Sequence, residues 1–167
     1  MATETRSADV TVEVTSKQWI AGAVGGFIGS VPFGLMMMYV MPPPLLEVVI
    51  PAMYGIEGPA ILAGWAIHQF HGVVPALVYV ALVQTEWLRE TARSTGGAIG
   101  LAVAYGILTT VVLAVLVMPL WLSAVGFPNA PPFPNFAIPA TIVSGIGHVI
   151  YAVPVALLYA RSFASEE

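Results

Sequence analysis

Four apolar stretches without a charge in their central parts dominate this chain, at roughly Lys17 to Met41, Pro59 to Val83, Gly96 to Leu120 and Ala137 to Tyr159. Each reaches the ~20 residues at ~1.5 Å per residue that cross a ~30 Å hydrocarbon core, so the expected fold is an all-α polytopic membrane bundle of four transmembrane helices, spanning residues 17–161. Composition agrees: 58% hydrophobic and 8% charged residues leave too little polar surface for a water-soluble globule. The lipid bilayer is the first partner.

All five basic residues lie at alternate ends of these stretches. Arg6 and Lys17 precede the first, Arg89 and Arg93 separate the second from the third, and Arg161 follows the fourth. Cytoplasmic loops collect Lys and Arg, which predicts a multi-pass cell-membrane protein with both termini inside. Residues 1–16 read as a polar cytoplasmic tail and 162–167 as a short C-terminal one. Glu4, Asp9 and Glu13 are foreign to the basic n-region of a secretory signal, so the first stretch stays a helix.

The chain also reads as a duplicated two-helix unit. Met41-Pro42 is echoed by Met118-Pro119, and Gly29 and Gly106 each stand twelve residues before the Met. His68 precedes Tyr79 by eleven residues, as His148 precedes Tyr159. Small residues mark where bilayer helices approach, so Gly22, Gly26 and Gly29 on the first helix and Gly96 and Gly100 on the third are expected to pack within the bundle, with homodimerisation through the same faces as the alternative. The loops at 42–58 and 127–135 are proline-rich, and proline presets the backbone toward polyproline II, which predicts semi-rigid caps.

Histidine inside a membrane helix is the leading functional signal. His68 and His148 are expected near mid-bilayer at one depth on different helices, the arrangement that bis-imidazole haem b requires, with Gly64, Gly72, Gly145 and Gly147 nearby to admit a porphyrin. The plainer reading is a pair of structural histidines bonded to neighbouring carbonyls or hydroxyls. His71 is three residues from His68 and shares its side of the helix, but no Asp, Glu or Cys at that depth completes a zinc site. Thr141, Ser144, His148 and Tyr151 form a polar stripe suited to a proton or water path, a quinone headgroup or interhelical hydrogen bonds. Met37 and Met41 invite Cu(I), although methionine is also an ordinary filler of apolar helices.

Zero cysteines exclude disulfides, iron-sulfur clusters and thiolate zinc. There is no phosphate-binding loop, dinucleotide fingerprint or Ser/His/Asp set, and no basic patch for nucleic acid.

The segments Gly145-Ile146-Gly147-His148-Val149-Ile150-Tyr151, Met118-Pro119-Leu120-Trp121 and Gly64-Trp65-Ala66-Ile67-His68 resemble a group of small four-helix membrane proteins of haloarchaea and some bacteria. One Lys against nine acidic residues fits a salt-adapted source. The resemblance implies a duplicated helix pair of unassigned role. Some members carry a histidine-kinase label, which the lack of ATP-binding boxes and of a cytoplasmic domain argues against here.

Three functions follow as expectations. The first is a non-enzymatic accessory or structural subunit of a homo-oligomer or larger membrane assembly. The second is a haem b electron-transfer module ligated by His68 and His148. The third is a small permease or channel lined by the fourth-helix stripe.

Overall fold

A computed structural model describes residues 14–41 and 44–163. The predicted N-terminal tail to residue 13 and the last four residues of the C-terminal tail lie outside the described residues. Among those described, the chain is helical with no strand. It comprises α1 (Ser16–Tyr39), a π-helical turn Leu45–Val49 continuing into α2 (Ile50–Ala52), α3 (Ile61–Leu82), α4 (Glu86–Arg93), α5 (Thr95–Thr109), a π-helical stretch Thr110–Val117 continuing into α6 (Met118–Ala124), and α7 (Ile138–Arg161). Four spans are long and apolar enough to cross a membrane: α1, α3, the continuous run Thr95–Ala124, and α7.

Local chemistry fixes the ends. Thr15 and Gln18 form a reciprocal capping box at the start of α1, and Ser94 accepts from the Gly97 amide at the start of α5. Gly126, at φ +73°, turns the chain after α6 in the left-handed conformation that glycine adopts without steric cost.

The third span is irregular for an identifiable reason. Thr109 and Thr110 return their hydroxyls to the carbonyls of Tyr105 and Gly106, which loosens the ladder where the π-helical stretch begins. Pro119 then lacks the N–H that an α-helix would direct at Val115 O. The Asn135 amide donates to that carbonyl at 3.0 Å, pinning the 127–137 loop to the span.

The spans pack in the order α3, α1, α7, α5, with α3 and α5 in little mutual contact. Glycine sets this order. A Cβ at Gly22 or Gly26 would strike Val80, Ala76 or the Gly72 carbonyl on α3, whereas one at Gly25 or Gly29 would strike the α7 backbone at Val155 or Tyr151. α1 therefore presses backbone to backbone on two neighbours, and Gly22, Gly26 and Gly29, read from the sequence as one face, divide between α3 and α7.

The third-helix glycines behave differently. Gly96 and Gly100 face open space, and α5 packs on α7 through Ala98, Ala102, Tyr105 and Gly106 instead. The expectation that Gly96 and Gly100 pack within this bundle is corrected accordingly: alanine at the neighbouring register is small enough to make the contact.

Two further differences concern the connections. The 42–58 loop is not a polyproline cap throughout, because Leu45–Ala52 is helical, buries Leu46, Ile50 and Pro51, and lies on α3 where Gly64 admits the Leu46 carbonyl. Pro51 is tolerated in the first turn of α2, where its missing N–H costs nothing. The central loop carries an eight-residue amphipathic helix, α4, whose Arg89 and Arg93 stack over Phe163 beyond α7 at 5.5 and 5.0 Å from the ring centre.

Candidate functional site

A cavity of about 480 Å³ lies in the half of the bundle nearest α2, lined by α1, α3, α7 and the Thr110–Ala124 part of the third span. All three histidines line it, His68 and His71 from α3 and His148 from α7, together with Tyr151, Ser144 and Thr141. Met37, Met41, Met53 and Met118 contribute thioethers, and Phe33, Phe70, Tyr54 and Trp121 contribute rings. The four residues singled out as cofactor-binding candidates, His68, His71, His148 and Tyr151, therefore share one space.

Its floor is made by two phenols reaching α3. Tyr151 donates to Gly72 O at 2.7 Å, and Tyr105 donates to Pro75 O at 2.6 Å. Beneath them the bundle is solid: Tyr79 meets Tyr105 and Tyr159 edge to face, at 5.2 and 6.0 Å between ring centres, and Ala76, Val80, Val155 and Ala156 are fully buried. None of these last four lines the cavity, so among the described residues no standing pore crosses the bundle.

Its roof is the Leu45–Ala52 segment and the turn after it. Trp121 donates its indole N–H to Met53 O at 2.6 Å, and Tyr54 bonds His71 Nε2. Burial pushes the Tyr54 phenol above its usual range, so it meets the imidazole as a neutral hydroxyl. These two contacts tie the roof to the third span and to α3.

The histidine tautomers follow from their partners, because a carbonyl only accepts. His68 donates Nε2–H to Ser30 O at 2.9 Å, and the Ser30 hydroxyl is itself held by Phe27 O and Gln69 Oε1. His148 donates Nδ1–H to Ser144 O at 2.9 Å, one turn earlier on its own helix. Its Nε2 has no hydrogen-bond partner among the described residues, although the residue is only 8% exposed.

These contacts do not fit haem between His68 and His148. The Phe33 ring touches both imidazoles, at 5.7 Å from His68 and 4.6 Å from His148 between centres. Three of the four glycines expected to admit a porphyrin are occupied by protein, Gly147 by Phe33, Gly72 by Ser30 and Gly26, and Gly64 by Leu46, while Gly145 makes only ordinary contact with Thr110. His68 also spends its Nε2 proton on Ser30 O, so that nitrogen has no lone pair for iron. His68 begins seven residues into α3 and His148 ten residues into α7, so the shared depth is approximate.

The fold and this site define a class, an α-helical multi-pass membrane protein with a histidine-lined cavity in one half of its bundle. Compared with protein-family models, characterised proteins and solved structures, the chain matches none.

The sequence had no signal for the roof or for Asn135. Tyr54 and Trp121 were detectable only as aromatic residues flanking spans, a position that ordinarily indicates membrane anchoring.

Proposed function

We propose that this chain is a non-enzymatic membrane protein that holds a small lipophilic molecule within the bilayer, as an accessory component of a membrane assembly. The cavity carries this reading. About 480 Å³ lies within the range of small-molecule sites, and a mainly apolar lining with a few convergent polar groups is their usual character. The side of the cavity between α3 and the Thr110–Ala124 part of the third span would give a lipid-borne molecule a lateral entrance, whereas the tyrosine layer blocks passage to the other side. The permease reading is weakened by that layer and the haem reading by Phe33.

Expression in a native-like membrane, release from mild detergent and native mass spectrometry should show a retained organic adduct. Ala114 lines the cavity, and Ala114→Trp fills it. The variant should lose the adduct while keeping its melting temperature within about 2 °C, since the new ring enters existing space. An adduct retained equally by Ala114→Trp would overturn the reading.

The orientation and duplication belong to the same proposal. The alternation of Lys and Arg supports both termini inside, with α2 and the cavity toward the outer face. The absence of native cysteine makes this directly testable: Phe127→Cys should react with an impermeant maleimide on intact cells, and Thr95→Cys only after permeabilisation. The reverse pattern would invert the topology. If the halves arose by duplication, the α1–α7 and α5–α3 contacts are equivalent. Here the first is closed by glycine and the second is opened around the cavity. The repeated Met-Pro and His-Tyr spacings support this, as does the resemblance to the small haloarchaeal-type four-helix proteins.

A further inference from the structure

We infer that the molecule held in the cavity is a ring-bearing lipophilic alcohol, of the phenol or quinol class, which donates its hydroxyl to His148 Nε2. This rests on the cavity being a ligand site and specifies which end of the ligand lies deepest.

The deepest polar layer offers lone pairs only. Tyr151 spends its proton on Gly72 O, His68 its Nε2–H on Ser30 O, and His148 its Nδ1–H on Ser144 O. In the bilayer interior an imidazole is neutral unless a counter-charge stands beside it, and no carboxylate lines this cavity. Each ring then has one N–H, already committed, and one lone pair. For His148 that lone pair is on Nε2, in a side chain more than nine-tenths buried. A carbonyl oxygen placed there would face another lone pair and leave both unsatisfied, whereas a hydroxyl satisfies the nitrogen.

Size decides between an alcohol and a metal ion. An electron-poor metal also seeks lone pairs, and the methionines would suit Cu(I). However, an ion fills a small part of about 480 Å³, and the lining includes the rings of Phe33, which lies against His148, and of Phe70 and Trp121 elsewhere in the cavity, rings that favour stacking with another ring. The groups able to donate, the Ser144 and Thr141 hydroxyls, lie nearer the roof, about one and two turns before His148 on α7. They suit a second, accepting oxygen at the far end of a quinol-sized head.

The test compares two stable probes of nearly identical shape, 4-nonylphenol and its methyl ether 4-nonylanisole, by equilibrium dialysis against the full chain in detergent. The phenol should saturate at one per chain and bind about tenfold more tightly than the ether, the value of one net hydrogen bond. In His148→Phe the ratio should fall to about one while ether binding persists, because the lost term is the hydroxyl contact alone. Equal affinity in the wild type would overturn the hydroxyl assignment and leave the cavity as a ligand site. Failure of both probes to bind would overturn both readings. Stoichiometric Cu(I) binding that expels the phenol would assign the lone pairs to a metal and overturn the proposal. Should His148→Phe not fold, the wild-type ratio still decides.

Discussion

Gly29→Val is expected to unfold the bundle in mild detergent or to lower its melting temperature by more than 10 °C, whereas Gly100→Val leaves it unchanged. A Cβ at Gly29 falls 2.2 Å from Tyr151 O and 3.0 Å from its carbonyl carbon, backbone atoms that cannot rotate away, so α1 and α7 have to move apart along their shared face. That separation reaches beyond one residue. It lifts Gly25 from Val155 and disturbs the seat of Tyr151, whose hydroxyl closes the cavity floor. In lipid no hydrophobic gain holds helices together, and close van der Waals packing with interhelical hydrogen bonds must do so. Loss of that contact is estimated at about 4 kcal/mol, near the upper end of single substitutions. Gly100 faces open space, so its added side chain meets only lipid. Thermal unfolding of both variants, followed by circular dichroism, checks the pair, and an equal effect at the two positions would contradict the helix order described.

The second large effect is expected at the tyrosine layer. Tyr159 is fully buried, meets Tyr79 and Phe163 edge to face, and accepts from Gln84 Nε2 at 3.0 Å. Tyr159→Ala removes a ring from a packed interior that has no freedom to collapse, at a cost of about 3 kcal/mol. It also strips one wall from the cluster that holds Arg89 and Arg93 over Phe163, so α4 should become more accessible to protease. Tyr79→Phe is the informative companion. The Tyr79 hydroxyl is buried without a hydrogen-bond partner among the described residues, and deleting a polar group that lacks one is neutral or stabilising. A melting temperature that rises or holds for Tyr79→Phe and falls by several degrees for Tyr159→Ala is the expected result. Destabilisation by Tyr79→Phe would show that its hydroxyl has an undetected role.

The two predictions act on different halves of the molecule. Gly29 adjoins the cavity through Tyr151, while Tyr159 belongs to the sealed half below it. Loss of ligand retention with Gly29→Val but not with Tyr159→Ala, measured where both variants are folded, would separate the binding half from the packing half.

What the sequence determined by itself is the set of spans, because a bilayer imposes length and apolarity on any crossing segment whatever its neighbours. It also marked Gly22, Gly26 and Gly29 as places of close approach, without showing that they serve two different neighbours, and it singled out His68, His71, His148 and Tyr151 as polar groups in an apolar setting. It did not distinguish Gly29 from Gly100. In water a packed face and an exposed face differ in polarity, but in lipid both are apolar, and the contrast that normally reveals packing is gone. The helical roof was equally hidden, since Leu45–Ala52 reads as a proline-flanked loop until Gly64 is seen to receive it. Only the tertiary structure decided that α1 closes on α7 while a cavity stays open between α3 and the Thr110–Ala124 part of the third span, and so that three histidines on two helices share one cavity and not a porphyrin. Which helices touch depends on side-chain fit across the bundle, with Phe33 seated against Gly147 and between two imidazoles. That fit is a property of several helices together.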